Sequence, residues 1–401
     1  MVDYAIGQLK ISPDAETFNR VIAAAYDRKL RPLCLCQPTG VEMYIARLDD
    51  RCIIKRMPGT ALHHDITCQH YEPPENLSGL GDVMGKSVKE MDDGTTLLTL
   101  DFSLSKKGKK AAPAPSENQP DQIKQETTKL TLLSMLHLLW FEAALHRSAS
   151  DRNEKRTWRF VRSSLIAAAA LKSTKQTSIS DRLFIPEPYN KDYFDEIEAR
   201  RRTFMRRFRP THPVHRDMML VIGELKEFKP SRYGYQMVLK QAPTFPIYMQ
   251  EDTYKKVAKR WAAELEIKQG LENVHAMVIA TVSLNHADQA SVEDCSFMMT
   301  DSNWIPFESL NELDLLDELD MRKRSFVKGL RFNVKNRPLA SFLLTDVRPQ
   351  LAIYVMPPDA DDDYLEHINR LSEETNIPNL LWYPEQEVLP KLPDQTSTRP
   401  L

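Results

Sequence analysis

The sequence predicts an α+β protein built from several domains. Its 401 residues suffice for about two to four domains, and 42% apolar residues supply material for buried cores. Segments with helical periodicity alternate with short runs that have the two-residue period of strands. Four of the five cysteines fall in one short N-terminal stretch, and the composition changes sharply after residue 104. The predicted parts are an N-terminal module (1–104), a flexible linker (105–128), a helical basic domain (129–214), a β domain (215–302), an α/β domain (303–390) and a disordered tail (391–401).

The N-terminal module contains a pattern of metal ligands. Cys34 and Cys36 form a Cys-x-Cys pair, and His64 and Cys68 are spaced so that both reach one face of a turn or short helix. The residues between the pairs alternate as in a β-hairpin, which would bring the pairs together. Structural zinc takes four such ligands in a tetrahedron, at about 2.0–2.3 Å. We therefore predict a zinc-binding β-hairpin module with a structural Zn²⁺ held by these four residues.

Other interpretations of the same residues remain open. His70 in place of His64 would give the ligand order of SWIM-type zinc modules, and His63 is a further candidate. The cysteines could also be reduced residues in a small hydrophobic cluster, because free cysteine often packs as an apolar side chain. Cys52 lies in the middle of a predicted strand and Cys295 far along the chain, so both are expected to be core residues.

Composition and charge limit the classes of protein to consider. The formal net charge of -2 gives no overall attraction to nucleic acid, so any such contact depends on local clusters. Five cysteines without an extracellular spacing favour a reducing compartment. The N-terminus lacks the pattern of a signal peptide, and no apolar run approaches the roughly eighteen residues of a membrane span. We expect a soluble, cytoplasmic protein without membrane contact.

The helical basic domain follows a linker rich in lysine, proline and polar residues, which lacks apolar periodicity. Two amphipathic helices followed by an extended segment at 182–185 suggest a winged-helix-like module, with the second helix as the reader of DNA. A further helix carries a dense stripe of arginines, which would attract phosphates. The candidate nucleic-acid contacts on these helices are Lys155, Arg156, Arg159, Arg162, Arg201 and Arg206.

The β domain has the element order β-β-β-α-β-β. An OB-fold places its helix between the third and fourth strands in the same way, so we predict an OB-like β-barrel. Basic and aromatic residues lie on its early strands, among them Arg232, Tyr233 and Tyr235. Such residues can form a stacking platform for single-stranded nucleic acid. The alternative is a small barrel that serves as a scaffold.

The last domain resembles a PD-(D/E)XK nuclease core, both in its order α-β-β-β-α-β and in the sequence from Lys328 to Asp346. Those enzymes need an aspartate where this chain has Ser341, and a Glu-x-Lys where it has Tyr354 and Met356. Two carboxylates hold the catalytic metal and a lysine steadies the attacking water, so these replacements remove the chemistry. We expect a degenerate, inactive nuclease-like α/β domain. Its candidate contacts to nucleic acid are Lys328 and Arg331.

Several motifs recur in one order along the chain and resemble a known family. They are Arg31–Cys36, Met43–Arg47, Lys55–Pro58, the pair His64 and Cys68, Tyr71–Pro74 and Lys328–Asp346. The family is catalogued as domain of unknown function 1173 and occurs in bacterial mobile elements such as plasmids and integrative elements. The resemblance implies His64 and Cys68 as ligands over the alternative with His70, and it implies no established activity.

These expectations favour a non-enzymatic nucleic-acid-binding protein of a bacterial plasmid or integrative element, with a structural zinc site. One alternative is a protein-interaction scaffold whose zinc module docks another mobile-element protein. A second alternative is a divergent metal-dependent DNA nuclease that uses Glu312 and Asp346.

Overall fold

The computed structural model describes most of the chain in eight ranges. They are residues 2–48, 51–57, 59–91, 95–107, 129–150, 155–211, 215–332 and 337–396. Within these ranges the strands form four sheets. Helices and sheets occur throughout, so the α+β class predicted from the sequence is confirmed.

The N-terminal module is a five-stranded sheet with one helix. Its elements are β1 (Tyr4–Ile6), β2 (Leu9–Ile11), α1 (Phe18–Asp27), β3 (Leu33–Cys34), β4 (Val41–Leu48) and β5 (Arg51–Arg56). The strand order is β2-β1-β3-β4-β5. Helix α1 packs on β4 and β5 and buries Ile22 against the sheet. Ile22, Tyr4 and Met43 belong to a small core that also contains Cys34 and Cys68, so the cysteines lie at the centre of the module.

Short elements connect this module to the rest of the chain. They are α2 (Glu75–Ser78), β6 (Val88–Glu90), β7 (Thr96–Leu98) and β8 (Ser105–Lys107). Strand β8 pairs with a later strand through Lys107 and His215, and Lys106 forms an ion pair with Glu293 at 2.7 Å. The predicted linker therefore needs correction at residues 105–107, because lysines are well tolerated on a sheet edge. Residues 108–128, the rest of that prediction, lie outside the described residues.

Three helices and three short strands form the helical segment. They are α3 (Leu132–Glu142), β9 (Arg147–Ser148), α4 (Trp158–Ala169), β10 (Lys172–Ser173), β11 (Leu183–Phe184) and α5 (Phe194–Arg206). Thr131 and Thr157 begin α3 and α4 as N-caps, each accepting a hydrogen bond from the backbone N–H three residues later. Among the described residues no helix combines the length and apolar character needed to cross a bilayer.

The helical segment does not form the separate winged-helix-like unit that we predicted for 129–214. Strand β10 pairs with β7, whereas β9 and β11 pair with strands that follow later in the chain. Helix α3 is buried on almost every side and packs with Met277, Ile279 and Met298 of later strands. A helix with apolar side chains on all sides must be buried by partners on several sides. The helical segment therefore packs into the neighbouring parts of the structure.

The β domain is a closed ring of strands. Its elements are β12 (His215–Ser231), β13 (Gly234–Leu239), β14 (Ala242–Met249), α6 (Glu251–Arg260), α7 (Ala262–Gly270), β15 (His275–Leu284) and β16 (Ala290–Thr300). The strands follow the order β12-β13-β14-β16-β15, and β15 also pairs with β12. Strands β14 and β16 run parallel. The helices α6 and α7 lie between β14 and β15, which are the third and fourth strands of this ring in chain order. The OB-like assignment stays a prediction.

The last domain is a mixed sheet with two helices. Its elements are β17 (Pro306–Phe307), α8 (Leu310–Met321), β18 (Phe326–Lys328), β19 (Phe342–Leu344), β20 (Leu351–Val355), α9 (Asp362–Thr375) and β21 (Asn379–Trp382). Strand β17 pairs with β16 of the ring, and the sheet order is β21-β20-β19-β18-β9. From α8 onward the order is the predicted α-β-β-β-α-β, whereas β9 comes from the helical segment. The nuclease-like assignment stays a prediction.

The predicted disordered tail is ordered over its first part. The backbone N–H of Thr396 donates to the carbonyl of Asp346 at 2.8 Å, and Arg324 donates to the carbonyl of Pro393 at 2.9 Å. These contacts hold residues 391–396 in place. They use backbone amide and carbonyl groups, which can form hydrogen bonds whatever the polarity of the side chains. Residues 397–401 lie outside the described residues.

A turn after β16 contains a buried carboxylate that should make stability depend on pH. Asp301 Oδ1 accepts the backbone N–H groups of Asn303 (2.9 Å) and Ile305 (2.7 Å). Burial raises the pKa of Asp301 to about 6, against the two hydrogen bonds, which act in the opposite direction. The ordinary value is about 3.9, so between these values the folded state binds more protons than the unfolded state. The free energy of unfolding should therefore fall as pH rises from about 4 to 6, by up to about 3 kcal/mol.

The Asp301→Asn variant tests this expectation. Its amide oxygen can still accept both N–H groups, whereas the titrating charge is gone, so the variant should be more stable than the wild type above pH 7. Urea unfolding of both proteins across the acid-to-neutral range measures the difference. Equal dependence on pH in the two proteins would contradict the expectation.

Candidate metal centre

Each predicted metal ligand has a defined position in the N-terminal module. Cys34 ends β3 and Cys36 follows in the next turn, while the β4–β5 hairpin carries the chain away and back. A short 3-10 turn, Ala61–His63, then ends immediately before His64. The carboxylate of Asp65 accepts the backbone N–H of Thr67 at 2.9 Å, which fixes the turn that leads to Cys68. The hairpin predicted from the sequence thus brings the two ligand pairs together.

The four side chains form a cluster of suitable size for one metal ion. The ligand atoms of Cys34, Cys36, His64 and Cys68 all lie within 4.8 Å of one another. The sulfurs of Cys34 and Cys68 are 3.7 Å apart, and Nδ1 of His64 is 3.2 Å from the sulfur of Cys36 and 3.8 Å from that of Cys68. A tetrahedron with metal–sulfur bonds of 2.3 Å has sulfur–sulfur edges of about 3.8 Å. The cluster could therefore hold a metal ion.

The alternative imidazoles stand outside this cluster. Nε2 of His70 lies 2.6 Å from the hydroxyl of Tyr4, which in turn accepts a hydrogen bond from Gln69. His63 is exposed, whereas His64 is 2% exposed. Nδ1 of His64 faces the sulfurs, while its Nε2 is buried without a hydrogen-bond partner among the described residues. His64 is thus the imidazole whose nitrogen points at the thiols.

The surroundings of Cys36 and Cys68 favour their neutral thiols when no cation is present. A hydrogen bond with Cys34, together with burial, raises the pKa of Cys68 to about 12. Burial likewise raises the pKa of Cys36. Burial and the nearby His64 and Arg56 lower the pKa of His70 to about 3, so this ring stays neutral. Metal binding at such a cluster would release protons from the thiols.

The loop that carries His64 and Cys68 is bound to the rest of the molecule by one arginine in particular. Arg147, on β9, donates hydrogen bonds to the carbonyls of Gln69 (3.1 Å) and Tyr71. The hydroxyl of Tyr71 donates to the side chain of Gln350 at 2.7 Å. The role of Arg147 was not predictable from the sequence, because its acceptors are backbone oxygens, which leave no signal in a sequence.

The predicted nucleic-acid contacts fall into two groups. Lys155, Arg159, Arg206, Arg232 and Tyr233 are exposed, and the Tyr233 side chain is 79% exposed. Arg232 stacks on the ring of Tyr233 at the tip of the β12–β13 hairpin. These five side chains are free to meet a ligand at the surface.

The other predicted contacts serve internal interactions. Arg156 donates hydrogen bonds to the carbonyls of Ala144, Leu145, Arg147 and Asn303. Its guanidinium therefore connects several segments of the interior. The remaining members of this group and their partners are Arg162 with the carbonyl of Ile185, Arg201 with Glu198, Tyr235 stacked on Tyr254, Lys328 with Glu312, and Arg331 with Glu308. Helical periodicity indicated which residues face outward, but it could not show that long side chains bend back to a carbonyl or carboxylate.

The carboxylates of the nuclease alternative are already neutralised. Glu312 lies 3.2 Å from the buried ammonium of Lys328, and Asp346 forms two hydrogen bonds of 2.8 Å with Arg324. Ser341, Tyr354 and Met356 are buried, so the positions that correspond to the missing carboxylates and lysine face the interior. Neither Glu312 nor Asp346 is available as an unpaired metal ligand.

The fold and site together define an α+β protein with a candidate Cys₃His metal centre in its N-terminal module. The chain belongs to the family described as "Protein of unknown function (DUF1173)", whose model matches residues 4–385. The match confirms the family suggested by the motifs. No curated protein and no solved structure matches the chain.

Proposed function

We propose that Cys34, Cys36, His64 and Cys68 bind one structural Zn²⁺. Three thiolates and one imidazole are a zinc donor set, and the observed separations suit a tetrahedron. Four protein ligands leave no open position for a substrate, which is the arrangement of structural rather than catalytic sites. The ion would join β3 to the loop that Arg147 holds. Metal analysis of the purified protein should find one zinc per chain.

We infer that the ring of strands is an OB-like barrel and that the last domain is a degenerate nuclease-like core. The closed order β12-β13-β14-β16-β15, with α6 and α7 between β14 and β15 in the chain, supports the first assignment. The order α-β-β-β-α-β, with serine, tyrosine and methionine at the expected catalytic positions, supports the second. Both folds are compatible with a role in nucleic-acid metabolism, although a fold by itself does not define function.

We further propose that the chain is a non-enzymatic nucleic-acid-binding protein of a bacterial plasmid or integrative element. The observation that carries this proposal is a set of exposed cations: Lys155, Arg159, Arg206 and Arg232. Exposed lysine and arginine bind phosphates by releasing counterions, independently of base sequence. The exposed Tyr233 beside Arg232 offers an aromatic face on which a base can stack.

A salt titration tests this proposal. The affinity of the full chain for labelled DNA, measured by fluorescence anisotropy, should fall linearly with the logarithm of salt concentration. Arg206→Gln and Arg232→Gln should each weaken binding and reduce the salt slope by about one, because each removes one phosphate contact.

The matched control is Lys10→Gln in the N-terminal module. Lys10 is exposed and pairs with Asp3 at 3.2 Å, so its loss removes the same charge from another part of the surface. It should leave both affinity and slope unchanged. Absence of binding at low salt, or an affinity that does not change with salt concentration, would refute the nucleic-acid proposal.

A further inference from the structure

A groove between helices α4 and α5 has apolar walls and a volume of about 220 Å³. Ile166 of α4 and Phe204 of α5 line it, together with Phe184 of β11 and Ile185, which follows that strand. Ile166 is 40% exposed, so the groove is open to solvent. Pockets for complete small molecules measure about 300–1,000 Å³. This groove therefore suits one part of a larger ligand.

The polar part of the groove carries more positive than negative charge. Arg200 binds both carboxylate oxygens of Glu187 at 2.8 Å, and Arg162 lies beside the same carboxylate. Burial and the neighbouring Arg200 lower the pKa of Arg162, although Glu187 opposes them. Nε of Arg162 donates to the carbonyl of Ile185 at 3.0 Å, which fixes the guanidinium in place. The lining contains three guanidinium groups, those of Arg162, Arg200 and Arg201, and two carboxylates, those of Glu187 and Glu198. Glu196 also lies 3.7 Å from Arg200, but it is 66% exposed and outside the lining, and exposed pairs contribute little. An additional anion would therefore be stabilised there.

Exposed aromatic side chains lie next to the groove along the chain. Tyr189 is 57% exposed and follows Glu187 by two residues, while Tyr193 is 56% exposed and immediately precedes α5. Large aromatic side chains at the surface are the usual platforms on which successive bases of a single strand stack.

We propose that the groove between α4 and α5 binds one nucleotide of a single-stranded nucleic acid. The base enters the apolar part between Ile166 and Phe204, and its phosphate lies against Arg162 and Arg200. A base inside a duplex is stacked and paired, so it cannot enter such a groove without being extruded. This inference rests on the proposed function and adds the form of nucleic acid and the position of one base.

The experiment compares two variants that add the same charge to the same helix. Ile166→Glu places a carboxylate in the groove, whereas Ala167→Glu places one on the neighbouring exposed position of α4. Anisotropy is measured with labelled oligo(dT) of about 20 nucleotides, longer than a site of about 4–16 nucleotides, and with a hairpin duplex of matched length. Circular dichroism and zinc content verify that both variants fold.

The expected result is tighter binding of oligo(dT) than of the duplex by the wild type. Ile166→Glu should weaken oligo(dT) binding about tenfold or more, and Ala167→Glu about twofold or less, because stacking of one base is worth about 1–3 kcal/mol. Photocrosslinking with a bromouracil-substituted strand should label α4 or α5 in the wild type. Equal effects of the two variants, a preference for duplex, or crosslinks confined to other elements would overturn the inference while leaving nucleic-acid binding in place. No binding of either DNA would refute the proposed function itself.

Discussion

Replacing Cys68 by serine should abolish metal binding and destabilise the N-terminal module by several kcal/mol. The apparent binding free energy of structural zinc is about 10–16 kcal/mol in small zinc domains, and a serine hydroxyl does not replace a thiolate ligand. The module has only a small core of its own, centred on residues such as Ile22 and Met43, so it would depend on a bound ion more than a large domain would. Elemental analysis of the purified variant gives the metal content, and thermal unfolding gives the loss of stability.

The controls for this prediction come from the same module. Cys52 of β5 packs against the same core but is not a member of the ligand cluster, so Cys52→Ser should retain one zinc per chain. His70→Ala should also retain the ion, because the His70 ring contacts Tyr4. Retention of zinc by Cys68→Ser, or its loss from His70→Ala, would show that the ligand set is wrong.

Replacing Arg147 by methionine should lower the free energy of unfolding by about 3 kcal/mol. Methionine keeps the apolar stem but removes the charged donors to the carbonyls of Gln69 and Tyr71, and such hydrogen bonds are worth about 1.5–3 kcal/mol each. The loss should appear as weaker attachment of the loop that carries His64 and Cys68. Urea unfolding measures the stability, and hydrogen exchange at residues 64–71 locates the loosened part.

Arg348→Met is the matched control for Arg147→Met. Arg348 also joins the loop that carries His64 and Cys68 to the last domain, through an ion pair of 3.2 Å with Asp65, but its side chain is 58% exposed. Exposed ion pairs contribute less than about 1 kcal/mol, so this variant should be close to wild type. Equal losses in the two variants would mean that Arg147 is not the principal attachment.

The features that depend on neighbouring residues in the sequence were predictable. The ligand spacing of Cys34, Cys36, His64 and Cys68 is local, and a hairpin between the pairs suffices to bring them together. The order of strands and helix along the chain of the ring could also be predicted, because each strand has its own alternation of apolar and polar residues. Both predictions needed only short-range information.

The features that depend on backbone acceptors were not predictable. Arg156 was expected at the surface because of its helical position, yet its guanidinium donates to four carbonyls. Strand β9 was missed because it has two residues and pairs with Val327, far along the chain. Carbonyl oxygens are present at every residue, so nothing in the residue types indicates which of them an arginine or a short strand will meet.

The position of α3 has a consequence for synthesis of the protein in the cell. This helix is almost wholly apolar and is covered by β15 and β16, which leave the ribosome more than a hundred residues later. At about 5–20 residues per second, the nascent chain displays that helix for about 7–30 seconds before its cover exists. Such a delay makes the emerging polypeptide a target for chaperones, and truncated chains that stop before β15 should aggregate.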